Sequence, residues 1–192
     1  MSDETTTDDH NRPDPITNLL LASRQVIICE GIDQKMAKRV TAQLLALAGE
    51  SDAPITMFIN SQGGHVEAGD TIHDIIQFIK PTVRMVGTGW VASAGTHIFL
   101  AAKKENRFCL PNTRFLIHQP SGGVGGTASD IEIQAEQIEQ MRERLAQIIS
   151  ATTGTDIDQV RKDIERDKWM NTEEAVNYGI LSRVISSAAE LD

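Results

Sequence analysis

The sequence of 192 residues contains only two cysteines, Cys29 and Cys109. Each lies in an apolar, strand-like run, so we expect two buried free thiols rather than a disulfide or a reactive cysteine. Neither a His-Glu-x-x-His nor a Cys-x-x-Cys motif is present, which argues against a zinc site. A phosphate loop and a dinucleotide-binding glycine fingerprint are also absent. We therefore expect the protein to need neither a metal nor an organic cofactor.

Basic residues are in deficit, with 18 Lys and Arg against 27 Asp and Glu, for a net charge of −9. No run of basic residues interleaved with aromatics offsets this balance, which argues against a nucleic-acid partner. Long hydrophobic runs are absent near the N-terminus, where the apolar stretch at residues 19–22 is too short for a signal peptide or a membrane span. We therefore expect a cytoplasmic protein without a membrane partner.

Hydrophobic residues make up 40% of the chain, which is enough for one substantial core at this length. No linker rich in Pro or Ser divides the chain after residue 15, so residues 16–192 are predicted to form a single domain. Residues 1–15 contain five acidic side chains and one arginine. Such a polar segment cannot bury enough surface to offset its ordering entropy, which predicts a disordered acidic tail.

Strand-like runs alternate with helical patterns after the tail, which predicts an α/β fold. The predicted strands are 25–29, 55–59, 82–87, 114–117 and 181–186, and the predicted helices are 33–48, 66–79, 94–102, 130–152 and 172–178. For the last helix, Asn171 is a suitable N-cap with Glu174 three residues on, and Gly179 is a suitable stop.

Ser93 is flanked by glycines and alanines in the run from Gly89 to Gly95, which leaves room for a substrate carbonyl to approach. A serine hydroxyl is a poor nucleophile at neutral pH, so it needs a base and a third group that orients the base. His118, at the end of a predicted strand, and Asp167, at the edge of an apolar patch, are the proposed partners. Together the three predict a serine hydrolase that acts on peptide bonds.

Simpler interpretations compete with this one. Taken alone, Ser93 is a small packing residue, His118 a strand-end residue with a satisfied hydrogen bond, and Asp167 a solvated charge. Two other histidines could also act as the base. His97 lies four residues after Ser93, and His65 directly follows a glycine pair.

The glycine pair Gly63–Gly64 follows a predicted strand and precedes a predicted helix. Glycines in such a turn leave backbone N–H groups unshielded near a helix start, where they can donate to a developing negative oxygen. An ordinary turn that needs positive φ explains an isolated glycine pair equally simply. An oxyanion hole at this turn is therefore a hypothesis.

Eight ordered blocks of the sequence resemble the catalytic subunit of the Clp protease family. The blocks are residues 60–64, 77–81, 92–95, 107–112, 117–120, 130–133, 165–167 and 174–179. The similarity is close over the last two-thirds of the chain and looser over residues 17–57.

This resemblance assigns roles to the candidate residues. It implies that Ser93 is the nucleophile, that His118 is the general base and acid, and that Asp167 is the orienting carboxylate. It also implies that the backbone N–H groups of Gly64 and Ala94 form the oxyanion hole. His97 and His65 become minor candidates.

The resemblance further implies the repeated ββα units of the ClpP and crotonase-like superfamily, with a protruding handle helix at about residues 119–152. In similar proteins the handle interleaves with an opposite ring, and Arg166 matches a position that bridges the rings. The implied assembly is a tetradecamer of two heptameric rings. The resemblance implies that this assembly hydrolyses unfolded polypeptides supplied by an ATP-driven AAA+ unfoldase such as ClpX, ClpA or ClpC. It also allows rings that contain a paralogous partner subunit.

Several positions depart from the family pattern. Gln62 stands where the family usually has proline, and Trp90 where it usually has a smaller polar residue. We expect Trp90 to reshape the pocket for the residue that precedes the scissile bond. The N-terminus also lacks the family's apolar segment, which makes unfoldase docking less secure. A catalytically silent ring subunit and a crotonase-type acyl-CoA enzyme are the alternative functions, although the latter chemistry does not require a Ser/His/Asp set.

Overall fold

A computed structural model describes residues 15–191 of the chain. The predicted disordered tail lies outside the described residues except for Pro15, which is the first residue of a helix. Proline suits that position because its fixed φ is helical and its missing N–H would have no helical partner there.

Within residues 15–191 the chain forms seven α-helices, seven β-strands and two short 3-10 helices. The helices are α1 (Pro15–Ala22), α2 (Gln34–Glu50), α3 (Val66–Phe78), α4 (Ala94–Phe99), α5 (Ala128–Thr153), α6 (Ile157–Asp163) and α7 (Thr172–Tyr178). The strands are β1 (Gln25–Ile28), β2 (Ile55–Ser61), β3 (Val83–Ala92), β4 (Arg107–Cys109), β5 (Arg114–Ile117), β6 (Lys168–Met170) and β7 (Arg183–Val184). The 3-10 helices are Lys104–Asn106 and Ala188–Leu191.

The strands form one mixed sheet in which β1, β2, β3, β4 and β7 are neighbours in that order and run parallel. Strand β3 is long enough to have two partners on the same side. Its residues 85–87 pair with β4, and its residues 90–92 pair with β5. Strand β6 then runs antiparallel to β5. This division of β3 places the carboxyl ends of β2, β3 and β5 at one edge of the sheet.

The main core lies where α2 and α3 pack on the sheet. Along α2 the buried side chains recur at three- and four-residue spacing, which gives the helix one apolar stripe. Strand β2 alternates between buried and half-buried residues, as expected for a strand with one face on the core. A smaller cluster of Val86, Phe108 and Ile185, with Phe58 against it, forms a second apolar group.

The predicted α/β class is confirmed, and each predicted strand and helix overlaps an observed one. The predicted ends of α7 agree with the structure, because Asn171 and Glu174 form a capping box and Gly179 ends the helix with φ 90°. Strand β3 extends five residues beyond its predicted end at residue 87, through Gly89, because pairing with β5 overrides the local signal of the glycines.

Two short α-helices, α1 and α6, two short strands, β4 and β6, and both 3-10 helices were not predicted. Strands β4 and β6 have three residues each, so their alternation is too brief to recognise from sequence, and both depend on pairing with a distant strand.

Helix α5 is well defined at both ends. Thr127 and Asp130 form a capping box at its start, and Gly154 ends it in the left-handed conformation. Its buried side chains, Ala146 and Ile149, lie in its C-terminal half, whereas Ile131 and Ile133 are exposed. The N-terminal half of this helix is therefore largely uncovered within residues 15–191.

The prediction of two buried thiols is wrong for one of them. Cys109 is fully buried in β4, but Cys29 is exposed. The period of two explains this, because Val26 and Ile28 face the core and the odd positions of this strand, continued to residue 29, face outward. Burial raises the pKa of the Cys109 thiol to about 11.

We expect the two thiols to react with a maleimide or disulfide reagent at very different rates under native conditions. Cys29 should react promptly, whereas Cys109 should react only on unfolding, since it is buried and little of it is thiolate at neutral pH. Mass spectrometry of the labelled peptides measures both rates, with Cys29→Ser as the control that leaves one slow thiol. Equal native rates would contradict the burial of Cys109.

Candidate active site

Ser93 occupies the tight turn between β3 and α4. Its backbone has φ 56° and ψ −122°, an unusual conformation for a residue that carries a Cβ. The turn is held in place because the Ser93 N–H donates to the carbonyl of Leu116 in β5 at 3.0 Å. A strained turn of this kind presents its side chain outward from the carboxyl end of a strand.

His118 directly follows β5, the parallel neighbour of the last part of β3. Its Nε2 atom lies 2.8 Å from Ser93 Oγ, within hydrogen-bond distance. The His118 side chain is 24% exposed, so solvent reaches the ring only in part. The pairing of β3 with β5 thus brings the hydroxyl and the imidazole together.

Asp167 precedes β6, whose Lys168 pairs with Ile117 of β5. This register places Asp167 beside His118, and Asp167 Oδ1 lies 3.1 Å from His118 Nδ1. The two ring nitrogens of His118 therefore contact different partners, Ser93 on one side and Asp167 on the other. The three candidates are brought together in the relay that a serine hydrolase requires.

The loop before Asp167 is attached to the loop after His118. Gln119, in the loop after His118, donates two hydrogen bonds to the other loop. Its backbone N–H donates to Ile164 O at 2.7 Å, and its Nε2 donates to Glu165 O at 2.9 Å. Arg142 of α5 pairs with the Glu165 carboxylate at 2.5 Å. Helix α5 is therefore connected to the segment that carries Asp167.

The two alternative bases lie elsewhere. His97 is buried, stacks on His73 with ring centroids 4.4 Å apart, and has Nε2 2.9 Å from Asp70 Oδ1. His65 is half-exposed and has Nδ1 3.1 Å from Glu67 Oε2. The structure brings His118, rather than either of these, to the Ser93 hydroxyl.

The turn at Gly63–Gly64 packs directly against the nucleophile. A Cβ at Gly63 would lie 2.6 Å from Ser93 Cβ, and one at Gly64 would lie 2.2 Å from Ile32 O, so a side chain fits at neither position. Both glycines have positive φ, 93° and 154°. A need for positive φ therefore does explain the glycine pair. The pair also lies beside Ser93, where the oxyanion-hole hypothesis places it.

Gly64 and Ala94 directly follow the two residues that meet in this contact, Gly63 and Ser93. Within residues 15–191 neither donates a hydrogen bond to a protein acceptor, whereas the neighbouring amides of Gly63, His65 and Ser93 all do. Two free amides next to a nucleophile can receive a developing oxyanion.

A cavity of about 40 Å³ opens beside Ser93. Its apolar lining residues include Val66, Met141, Leu145 and Ile148. Its polar lining residues include Asp70, His97 and Arg144. Asp70 and Arg144 were not predicted from the sequence, because nothing local marks two exposed-looking helix charges 74 positions apart as neighbours.

The pKa values of Asp70 and of the nearby His73 are both shifted from their ordinary values. Burial by itself would raise the pKa of Asp70, but the hydrogen-bonding and charge of His97 and the charge of Arg144 outweigh it and hold this pKa below its ordinary value. Burial, together with the charge of His97, lowers the pKa of His73, although Asp74 and Asp70 oppose this shift in part. His73 is therefore held in its neutral form.

Trp90 does not line this cavity, contrary to the expectation that it reshapes the pocket. Its ring stacks on Trp169 at a centroid distance of 6.3 Å, and the Arg114 guanidinium lies 4.9 Å from the centre of the Trp169 ring. The three side chains form a partly exposed platform on strands β3, β5 and β6.

Arg166 makes no ion pair with any residue in the described range, so its role between rings stays a prediction. The part of the chain that the structure describes contains no group of three or more His, Cys, Asp or Glu side chains able to hold a metal ion. It also contains no helix that is long and apolar enough to cross a membrane.

The family model described as "Clp protease" matches residues 8–188. The chain belongs to the Clp protease family. This confirms the resemblance seen in the sequence. The proteolytic subunit of the ATP-dependent Clp protease from Paracoccus denitrificans is 59% identical over 167 residues, which are 87% of this Clp protease chain and 84% of the relative. Proteolytic subunit 3 from Rhizobium johnstonii is 56% identical over 90% of this chain and 89% of its own length.

Solved structures agree with this Clp protease assignment. ClpP1 from Listeria monocytogenes superimposes with a TM-score of 0.84 at 52% sequence identity, covering 92% of this chain and 99% of the solved one. A mutant of the same protein gives a TM-score of 0.86 at 54% identity with the same coverage. The ClpP-like fold is therefore confirmed.

The neutral, buried His73 should make this Clp protease chain less stable in acid. Its pKa is lowered in the folded state, so below the ordinary histidine pKa the unfolded chain binds a proton that the folded chain does not. Stability from this group is thus present above about pH 6.5 and is lost as the pH falls further. We expect His73→Phe, which keeps a ring on His97, to flatten the decrease in Tm between pH 7 and pH 5.

Thermal unfolding across this pH range measures the effect, and His65→Phe controls for the loss of a histidine as such. An unchanged pH dependence in His73→Phe would contradict the buried neutral imidazole.

Proposed function

We propose that this chain is the serine endopeptidase subunit of a Clp-type protease and that it hydrolyses peptide bonds of unfolded polypeptides. Membership of the Clp protease family makes the chain a peptidase. The observation that carries the assignment of the site is the pair of contacts made by His118, 2.8 Å from Nε2 to Ser93 Oγ and 3.1 Å from Nδ1 to Asp167 Oδ1.

Each group has one task in the proposed reaction. Ser93 Oγ attacks the carbonyl carbon of the scissile amide while His118 Nε2 takes the hydroxyl proton. The Asp167 carboxylate accepts a hydrogen bond from the Nδ1–H of His118, which fixes the tautomer and stabilises the imidazolium. The negative oxygen of the tetrahedral intermediate accepts hydrogen bonds from the amides of Gly64 and Ala94.

The intermediate then collapses in two stages. His118 gives its proton to the leaving amine, the C–N bond breaks, and an acyl ester remains on Ser93. Water enters, loses a proton to His118 and attacks the ester carbonyl. The ester C–O bond breaks, His118 returns a proton to Ser93 Oγ, and the acid product leaves. No metal or organic cofactor takes part in these steps.

The proposed assembly is a tetradecamer of two stacked heptameric rings in the cytoplasm, supplied by an AAA+ unfoldase of the ClpX, ClpA or ClpC type. The curated relatives are named proteolytic subunits of an ATP-dependent Clp protease, which supports an ATP-driven partner. The exposed Ile131 and Ile133 of α5 support a role for this helix as the handle between rings. Arg166 is the proposed ring-bridging residue, and a paralogous subunit is a further possible partner.

The alternative functions have less support. A catalytically silent ring subunit would not need Ser93, His118 and Asp167 in contact with one another. A crotonase-type acyl-CoA enzyme shares the fold class, but the chain belongs to the protease family.

Removal of the nucleophile gives a direct test. Ser93→Ala should lower peptide turnover by about four orders of magnitude or more, since the residual rate comes from the oxyanion hole and binding alone. A fluorophosphonate probe should label the wild-type chain stoichiometrically at Ser93, as shown by peptide mass spectrometry, and should not label the variant. Ser186→Ala, a change in an exposed serine of the C-terminal segment, is the control and should keep both properties. An assembled wild-type particle without adduct would favour the silent subunit.

Native mass spectrometry tests the assembly. The purified chain should appear as a tetradecamer, and Arg166→Ala should shift it toward heptamers and lower casein digestion. Lys104→Ala, at the amino-terminal edge of the sheet away from the site, is the matched control. A wild-type chain that forms only inactive heptamers would indicate an obligate partner subunit, and an intact Arg166→Ala tetradecamer would contradict the proposed role of Arg166.

A further inference from the structure

The cavity beside Ser93 has both apolar and charged lining residues. The aliphatic part of a substrate side chain can pack there against Leu145 and Ile148. Asp70 and Arg144 add an anion and a cation to the same cavity. A wholly apolar pocket would suit leucine or methionine, so these charges call for a different substrate side chain.

Asp70 and Arg144 compensate each other. Asp70 Oδ2 accepts a hydrogen bond from Arg144 Nη2 at 2.5 Å, and Asp70 Oδ1 lies 2.9 Å from His97 Nε2. The side chains of Asp70 and Arg144 are 25% and 53% exposed. A charged group that entered here would meet one member of the pair with the same sign of charge, so neither a carboxylate nor an ammonium is well matched.

Some polar atoms of Arg144 and His97 in this cavity have no hydrogen-bond partner among the described residues. Arg144 uses one Nη2–H on Asp70 and has further N–H donors that bond to nothing within residues 15–191. His97 Nε2 lies 2.9 Å from Asp70 Oδ1, whereas the buried Nδ1 atom of His97 has no hydrogen-bond partner among the described residues. A ligand group that both donates and accepts would satisfy these atoms.

We propose that this cavity selects glutamine as the residue that precedes the scissile bond, over the similarly shaped methionine and over glutamate and lysine. This specificity rests on the proposed peptidase function. The glutamine stem packs on the apolar lining residues. Its amide oxygen accepts a hydrogen bond from Arg144, and its amide NH₂ donates to the Asp70 carboxylate. Methionine fills the same space but makes neither of these hydrogen bonds.

Fluorogenic peptides that differ only in this residue, with Gln, Met, Glu or Lys, test the proposal on the assembled full-length chain. We expect kcat/KM for the Gln peptide to exceed that for the Met peptide by about tenfold, because a site that hydrogen-bonds its substrate discriminates against an analogue that lacks the polar group. The Glu and Lys peptides should be cleaved more slowly than the Gln peptide. A Met peptide cleaved as well as the Gln peptide would overturn the proposal.

Asp70→Leu removes the acceptor and should reverse the order of the Gln and Met peptides. Asp74→Leu is the matched control, since this carboxylate lies four residues further along α3, is 81% exposed and does not line the cavity. It should keep the Gln preference. If Asp70→Leu does not fold, Asp70→Asn serves instead and should narrow the Gln-to-Met ratio. An unchanged ratio in a folded Asp70 variant would overturn the proposal.

Binding separates this proposal from the peptidase function. Fluorescence anisotropy with Ser93→Ala and product-like peptides that end in Gln or Met requires no chemistry. Tighter binding of the Gln peptide without turnover by the wild-type chain would support the selective cavity and contradict the proposed function. Equal binding of the two peptides, with normal fluorophosphonate labelling of wild-type Ser93, would contradict the cavity alone.

Discussion

The site depends on the divided pairing of strand β3. Its first part pairs with β4 and its last part with β5, and this leaves the carboxyl ends of β2, β3 and β5 side by side. The glycine turn follows β2, Ser93 follows β3, and His118 follows β5. Because strand pairing fixes the relative positions of these ends, the reacting groups are positioned by backbone hydrogen bonds rather than by flexible side chains.

Helix α5 connects the parts of the site that the sheet does not hold. Arg142 pairs with Glu165 near Asp167, and Arg144 pairs with Asp70 in the cavity beside Ser93. One helix thus contacts both the segment that carries the orienting carboxylate and the surface that faces the substrate. A shift of this helix would alter both at once, which gives a physical route from assembly to activity.

Much of the site was predictable because its local chemistry is unusual. A hydroxyl among small residues, a histidine at a strand end and a glycine pair between strand and helix each have a recognisable sequence pattern. The polar cavity was not predictable, because Asp70 and Arg144 look like ordinary charges on helix surfaces. Cys29 was predicted to be buried, since its apolar run extends one residue beyond the core-facing positions of β1.

The sequence by itself determined the α/β class and the main helices and strands, because hydrophobic periodicity and turn residues act over a few positions. The eight blocks that resemble the Clp protease family indicated the family and the roles of the three residues proposed to carry the chemistry. Only the tertiary structure decided which histidine contacts Ser93 and which helices line the cavity. Contacts such as His118 to Ser93 and Arg144 to Asp70 join residues 25 and 74 positions apart, and they exist only once the sheet register and the packing of α3 and α5 are formed.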